Sequence, residues 1–569
     1  MIILGISCYY HDSAACILKD GKIIAAVEEE RFSRIKFDDA FPKLAIDYCM
    51  SEAGITTKDI DCIAFYDKSI LKFERLLDNY IGVAPRGLKS FLDIIPKWLH
   101  KRLWIKDEIK KHLNYSGKII FPDHHLSHAA YSFFTSPFHE AALLMVDGVG
   151  EWSTTSYGYA DDLTIKLTND LRWPHSLGLF YSAFTYFLGF QVNEGEYKLM
   201  GLASYGKPKY YDLIMKELID VKDDGSFSLN MKYFAFTYDN IMITKKFEEL
   251  FGIPTKKYDS ETDQIHYDIG ASAQLVLEEI LLKMVHHVFQ KTKKKYLCLG
   301  GGVALNGVAN YRILKEGPFE KIFIPPSPGD AGSAIGCALY AYHSYYKNNR
   351  IVQENISKSI SDNAYLGPEF SNKEIKEFLE LNKIHYKKYE LQDLLEKTAK
   401  LISEQNVIGW YQGRMEWGPR ALGNRSILAD PRNPKMKDIL NEKIKHRESF
   451  RPFAPSILEE CASEYFDIQI PSPYMLLVAN VKKPDSIPAV THIDGTGRLQ
   501  TVSKNSNPLY YNLIQEFQKI TGVPVIINTS MNVKGEPIVN TPEQAYAMLM
   551  KTDMDYIVMG NYLVSKGVK

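Results

Sequence analysis

Two stretches of this 569-residue chain read alike, and the likeness restricts the folds open to it. The first, IILGISCYYHDSAACILKDGKIIAAVEEE from Ile2, predicts strand, polar turn, strand, hairpin and strand. Asp20-Gly21, set between two apolar runs, is its hairpin signal. The second, AALLMVDGVGEWSTTSYGYADDLTIKL, predicts the same succession. A strand over Ala142–Val146 meets a turn at Asp147–Gly150, and strands over Thr154–Ala160 and Leu163–Leu167 flank an Asp161-Asp162 turn. Neither copies the other, but each sets an apolar strand, a small or acidic turn and antiparallel strands in order. The expectation is an α/β domain of two related halves.

Helices fill the spaces between these strands. Pro42 to Gly54 has Pro at its first turn and Gly at its end. SLGLFYSAFTYFLGF and YDIGASAQLVLEEILLKMVHHVFQ carry apolar residues near helical spacing. A buried strand over Tyr296–Leu299 then runs into Gly300, Gly301 and Gly302, with a helix expected in VALNGVANYRI and another over Gly332–Tyr345. Residues 347–364 turn polar, which places a boundary near 355 and domains at 1–355 and 356–569. A chain this long exceeds one core and divides into two to four domains. The 68 basic and 69 acidic side chains leave no global field to draw in nucleic acid or a membrane. Seven cysteines form no CxxC pair, no secretory signal opens the chain and no apolar run is long enough to span a bilayer, so a cytoplasmic location is expected.

DHHLSHAA, Asp123–Ala130, sets His124 and His128 four apart, on one face of a helix. Such a pair either bites one metal ion or serves as ordinary helix residues. Asp147 at a strand end and Asp330 in SPGDAGSAIG add carboxylates at strand-to-turn junctions, and two imidazoles with two carboxylates suit Fe²⁺, Mn²⁺ or Zn²⁺. No phosphate loop and no GxGxxG run is present. Gly300–Gly302 either admit a nucleotide closely or allow tight strand–helix packing. The densest constellation is GRMEWGPRALGNRSILADPRNP with KIKHRESFRPFAPSIL. Arg414, Arg420, Arg425, Arg432, Arg447 and Arg451 are interleaved there with Gly, Pro and Trp. Fixed guanidiniums suit phosphates, with RNA as the competing ligand. No nucleophile elbow or Cys/His pair favours a covalent acyl-enzyme.

These motifs, with VEEERFSRIKFDDAFP, EYKLMGLASYG, GGGVALN, DGTGRLQTV and NTSMNVKGEPIV, run in order along nearly the whole chain. Together they resemble the NodU/CmcH carbamoyltransferases, which tailor nodulation factors, cephamycins and aminoglycosides. The resemblance implies an N-terminal actin-like ATPase (ASKHA, duplicated RNase H-like) domain followed by a C-terminal YrdC-like domain. It implies that carbamoyl phosphate and ATP, with Mg²⁺, form carbamoyl-adenylate in the second domain. A divalent metal, iron(II) first, with manganese(II) or zinc(II) as alternatives, would serve transfer to an acceptor hydroxyl in the first. The metal ligands fall on His124, His128, Asp147 and Asp330, with His125 structural or supporting. The nucleotide falls on Gly301, Gly302, Asn306, Lys443 and Arg498, with Lys198 nearby. Carbamoyl phosphate falls on Arg420, Arg451, Arg498, Asn528 and Ser530, with Arg425 and Arg447 as neighbours. The acceptor falls on Asp12, Lys36 and Glu151. A threonylcarbamoyl-type tRNA-modifying enzyme is the alternative. The acceptor's identity and the oligomeric state stay open, with a homodimer among the options.

Overall fold

The computed structural model describes residues 1–258, 260–353, 360 and 362–566. It divides into two compact α/β units, Met1–Ile24 with Cys49–Val352 and Ala25–Tyr48 with Gln353–Lys569. The boundary expected near 355 lies outside the described residues, and the division between units comes at Val352–Gln353. Residues 25–48 depart from the sequence expectation, which kept them in the N-terminal domain. They group with the second unit because it satisfies their polar groups. The Ala26 N–H donates to the Leu366 carbonyl at 3.2 Å, and Arg31 donates to the Gly418 carbonyl at 2.9 Å. Arg34 donates to the carbonyls of Pro537 and Ile538 at 2.7 and 2.6 Å.

Strands β1 (Ile2–Ser7), β2 (Ala14–Lys19), β4 (Cys62–Phe65) and β5 (Lys118–Ile120) of the first unit and β3 (Lys22–Glu28), which begins in it, form a sheet in the order β3-β2-β1-β4-β5. Strands β6 (Glu140–Val146), β7 (Ser153–Asp161) and β8 (Thr164–Arg172) lead to a small hairpin of β9 (Ile219–Val221) and β10 (Phe227–Leu229). With β11 (Tyr296–Gly300) and β12 (Lys321–Phe323) they form a second sheet in the order β12-β11-β6-β7-β8. The two orders match strand for strand. β1 pairs antiparallel with β2 and parallel with β4, just as β6 pairs antiparallel with β7 and parallel with β11. The central strands β1 and β6 are almost continuously apolar and buried, as strands covered on both faces must be. The edge strand β8 instead alternates toward solvent.

Each half ends in a helix after its last strand: His124–Phe134 after β5, and Ser333–Leu339 after β12. The single helix expected over Gly332–Tyr345 is composite, a 3-10 turn at Asp330–Gly332, the α-helix, and a wider turn over Tyr340–Tyr345. The two helices touch backbone to backbone. A Cβ on Gly336 would sit 1.9 Å from the Ser127 carbonyl oxygen, and one on Gly332 would sit 2.7 Å from the Tyr131 ring.

The second unit adds β13 (Lys387–Lys388), β14 (Ile408–Tyr411), β15 (Arg425–Ala429), β16 (Ala454–Leu458), β17 (Val478–Asn480), β18 (Thr496–Arg498), β19 (Gln500–Val502), β20 (Val525–Ser530), β21 (Tyr556–Met559) and β22 (Tyr562–Ser565). Eight of them form one sheet, β13-β22-β21-β14-β15-β20-β16-β19, and β17 pairs with β18. Helices Leu391–Ser403 and Pro508–Thr521 cover it, packing Leu394, Ile402, Ile514 and Phe517 against Ile408, Trp410, Leu428 and Ile526. β20 runs antiparallel to β15 and β16, and β16 runs parallel to β19. The starts of β15, β16 and β19 therefore meet the end of β20 at one end of the sheet.

Gly336→Ala tests the helix contact. The added methyl has no room, so the first unit is expected to lose roughly 3 kcal/mol, as overpacked cores do. A urea denaturation midpoint equal to that of the unaltered chain would contradict the contact.

Candidate active site

The helix after β5 begins at His124 because Glu151 receives it. The Glu151 carboxylate accepts the His124 N–H at 3.0 and 3.1 Å and the Lys68 N–H at 2.9 Å, a cap from across the fold where Asp123 supplies none. That anchoring fixes both imidazoles. His124 Nε2 lies 3.0 Å from Asp147 Oδ2 and 3.4 Å from Asp330 Oδ1; His128 Nε2 lies 3.6 and 3.5 Å from the same atoms. The two Nε2 atoms are 3.1 Å apart. Asp147 follows β6, and its Oδ1 accepts the Gly302 N–H at 2.9 Å; His128 Nδ1 meets Ser333 Oγ at 3.3 Å. The four ligand atoms lie within 4.8 Å of one another, all on buried residues.

Two carboxylates and two imidazoles aimed at one point need positive charge between them. Burial opposes an imidazolium, yet the Asp330 carboxylate outweighs it and the Asp147 hydrogen bond adds to it, so His124 is pushed up to about 10. His128 moves up likewise, while both carboxyls are held below their usual range against burial by the imidazoles. This mixed N/O donor set fits a divalent cation, which would take the place of those protons. His125 is different: burial and the charge on His124 push it down to about 3, and its Nδ1 meets Ser156 Oγ at 2.7 Å. It is a neutral structural side chain.

One further imidazole faces the cluster and was missed in the sequence. His11 Nε2 lies 3.7 Å from Asp330 Oδ2, and Nδ1 meets the expected acceptor residue Asp12 at 3.1 Å. The turn after β1 thus stands toward Asp330 as the turn after β6 stands toward the histidines. Burial would lower His11, but the Asp330 charge and the Asp12 hydrogen bond raise it to about 9.

The glycine motif is more committed to structure than expected. Gly301 has φ +86°, and a Cβ there would sit 2.3 Å from the Val146 carbonyl oxygen, so it serves close strand packing. The Gly302 N–H is taken by Asp147. Asn306 does not lie within a helix continuing from the glycines. A 3-10 turn, Gly302–Leu305, intervenes, and Asn306 caps the helix Gly307–Glu316 through the Ala309 N–H at 3.0 Å while exchanging hydrogen bonds with Gln274. Lys198 is buried beside Glu194 at 3.6 Å.

In the second unit the sheet end described above gathers the anion-site candidates. Asn528 and Ser530 end β20, Arg451 precedes β16, Arg498 ends β18 just before β19, and Arg420 stands in the loop before β15. That loop is built around a buried carboxylate. Glu416 Oε1 accepts the N–H groups of Leu422, Asn424 and Arg425 at 2.8, 2.7 and 3.1 Å. Asn528 donates to the Ala421 carbonyl at 3.1 Å and to Gln500 at 2.9 Å. Gly418 is gripped from both sides, since its N–H donates to Glu28 at 2.9 Å and its carbonyl accepts from Arg31 at 2.9 Å. The VEEERFSR motif therefore shapes the Arg420 loop.

The remaining cations sort by burial. Arg425 is committed within the fold: its guanidinium is fully buried, lies 3.9 Å over the Tyr411 ring and donates to the carbonyls of Gln412, Gly413, Asn424 and Pro368. Arg432 pairs with Asp430 at 2.6 Å, and Arg447 bonds Asn441 at 2.8 Å and lies over Phe453 at 4.7 Å. Lys443 is exposed, whereas Lys445 is buried and donates to the Ser530 carbonyl at 2.6 Å and to the Asn532 side chain and carbonyl at 2.7 and 2.8 Å. Burial, with the charges of Arg447 and Arg451, holds the Lys445 amine well below its usual value. That is the field an incoming anion would relieve.

The family model for the carbamoyltransferase N-terminus matches residues 2–339, and that for the carbamoyltransferase C-terminus matches residues 399–566. The chain belongs to the carbamoyltransferase family. This carbamoyltransferase is 49% identical to an uncharacterized protein of Synechocystis sp. over 99% of its own length and 96% of that protein's. It is 37% identical to nodulation protein NolNO of Sinorhizobium fredii over 98% of its own length and 79% of that protein's. Among solved structures, (R)-2-hydroxyglutaryl-CoA dehydratase component A of Acidaminococcus fermentans aligns at 17% identity and a TM-score of 0.32, over 61% of this chain and 99% of that one.

Of the residues expected at the acceptor, Asp12 stands beside His11. Glu151 is occupied in capping the His124 helix. Lys36 lies in the second unit, with its ammonium 2.9 Å from the Glu30 carboxylate. Among the described residues no helix is long and apolar enough to cross a membrane.

Two outcomes are expected from the cluster. Removing a ligand by Asp330→Asn weakens divalent-ion binding by at least about 100-fold, since even outer partners of metal ligands are worth 10- to 100-fold. At pH 7.5 the free cluster holds a proton, because His124 titrates near 10. Ion uptake then expels that proton, and affinity tightens as pH rises. Calorimetric enthalpies independent of the buffer's own ionisation heat would rule this out.

Proposed function

We propose that the chain is an ATP-dependent O-carbamoyltransferase working in two steps, one in each unit. The actin-like reading of the first unit is supported by its two five-stranded sheets of matching order. The second unit is read as YrdC-like from its motifs. There water hydrolyses carbamoyl phosphate to carbamate and inorganic phosphate; a carbamate oxygen attacks the α-phosphorus of ATP, and pyrophosphate leaves. Arg420, Arg451, Arg498, Asn528 and Ser530 are the groups proposed to hold the phosphates, with Lys445 fixing the Ser530 end of β20. Their charge would be complemented by Mg²⁺ on the nucleotide.

In the first unit an acceptor hydroxyl attacks the carbamoyl carbon, an O–C bond forms, and AMP departs. The observation carrying this reading is the His124, His128, Asp147 and Asp330 cluster with His11 set against it, in the part of the chain matched by the carbamoyltransferase N-terminus. Iron(II), manganese(II) or zinc(II) bound there would polarise an oxygen and stabilise the charge that develops. A cation held by Asp330 would offset the charge that keeps His11 protonated, so that His11, oriented through Nδ1 by Asp12, takes the hydroxyl proton at Nε2. Glu151 and Gly302 act through the ligands they position. The acceptor is proposed to be a small natural product or sugar, handled in the cytoplasm.

An assay with carbamoyl phosphate, ATP and Mg²⁺ but no acceptor separates the steps. The unaltered chain and His124→Ala are expected to release pyrophosphate, and Arg420→Ala is not. With a competent acceptor, His11→Gln should keep pyrophosphate release and lose about 10²- to 10⁴-fold in carbamate product, the usual range for a general base. Absence of pyrophosphate from the unaltered chain would end the two-step reading.

A further inference from the structure

Helix Ser69–Val83 of the first unit turns two cations inward. Lys72 and Arg75, three residues apart, are neighbours on one helical face, and they are only 7% and 8% exposed. Their situations differ. Lys72 is paired with Asp67 at 2.6 Å. The Arg75 guanidinium makes no hydrogen bond and no ion pair among the described residues, and its Nε is shut off from water. It lies against the Trp173 ring, 4.9 Å from the ring centre. Trp173 is itself fixed, donating to Asn79 at 2.9 Å and meeting Phe236 edge-on at 5.6 Å.

A buried guanidinium without a carboxylate is costly, and proteins keep one where a ligand brings the missing charge. Burial draws Arg75 down to about 10, and the more distant Tyr10 and Glu151 offset that only in part. The position is adjacent to the transfer centre. The Tyr66 ring packs 5.4 Å from the His124 ring and lies 5.0 Å from the Lys72 ammonium. That ammonium is in turn 5.6 Å from the ring of Tyr10, the neighbour of His11. From His124 to Arg75 there is a continuous path of Tyr66, Lys72 and one helical turn.

We propose that Arg75, seated on Trp173, is an oxyanion subsite beside the transfer centre that binds a carboxylate or phosphate of a substrate. The planar fork of the guanidinium matches such a group, and the indole face holds it flat. The inference rests on the reading that transfer occurs at the His124 cluster. Two substrates can bring the oxyanion: an acidic acceptor, such as a sugar acid, or the adenylate through its phosphate. In the first case the subsite selects the acceptor; in the second it orients the donor.

Equilibrium titrations of the full chain followed by tryptophan fluorescence, with Trp173→Phe to assign the signal, distinguish them. The probes are D-glucuronate against neutral D-glucose, and AMP against neutral adenosine. At least one anion is expected to give a saturable change at Trp173 that its neutral counterpart does not. Arg75→Met should weaken that anion by at least about tenfold, with partial recovery in Arg75→Lys, as loss of a charge-assisted pair predicts. Dependence of D-glucuronate on Arg75 assigns the subsite to the acceptor, and dependence of AMP assigns it to the donor. Unchanged affinity of both anions in Arg75→Met overturns the proposal. So does a lower melting temperature of ligand-free Arg75→Met, because removing an uncompensated charge should leave the fold as stable or more so. Pyrophosphate release by the unaltered chain judges the two-step reading separately, and its failure leaves the titrations to stand or fall alone.

Discussion

How near two helices can approach decides the geometry of the first unit. Helix His124–Phe134 ends one half and helix Ser333–Leu339 ends the other, and Gly336 lets the second lie directly on the Ser127 carbonyl of the first. His124 and His128 ride on one helix, and Asp330 begins the other. Backbone contact between the two helices is what keeps these side chains convergent. Asp147 enters from a third direction and is steadied by the Gly302 N–H, made possible by the tight turn at Gly301. Small residues here set ligand distances that the ligands themselves cannot.

The two units collect opposite charge. The first buries carboxylates around imidazoles, a field that draws in a cation. The second buries Lys445 among arginines, a field that draws in phosphates. A chain neutral overall is thus strongly polarised locally, and net charge hides it. Both sites sit at strand ends, where turns can hold charged side chains while the sheet stays apolar.

Much of this was legible in the residues. The strands β1 to β3 and β6 to β8 stood where the apolar runs and the Asp20-Gly21 and Asp161-Asp162 turns placed them, and spacing alone paired His124 with His128. His11 escaped notice because a lone histidine in YYHDS has no periodicity. The available signal was the likeness of the two halves, since the turn after β1 corresponds to the turn after β6 that bears Asp147. The burial of Lys445 beside an exposed Lys443 was not legible either, because the wider turn over Leu440–Lys445 departs from α-helical spacing. The surroundings of Arg425 were not legible, because residue type alone does not show which carbonyls a guanidinium meets. Its carbonyl partners reach back as far as Pro368, a contact no local pattern shows.

The stretch Ala25–Tyr48 has a consequence for how such a chain is made and inherited. Neither unit is a continuous length of polypeptide, because the chain runs first unit, second unit, first unit, second unit. During synthesis, residues that complete the second unit emerge among the earliest fifty or so, and wait for partners such as Gly418 and Ile538 that are translated last. A gene split at Val352 would leave its downstream product without the Glu28 and Arg31 grip on the Arg420 loop. The two units can duplicate or diverge together, but they cannot be parted by a single cut.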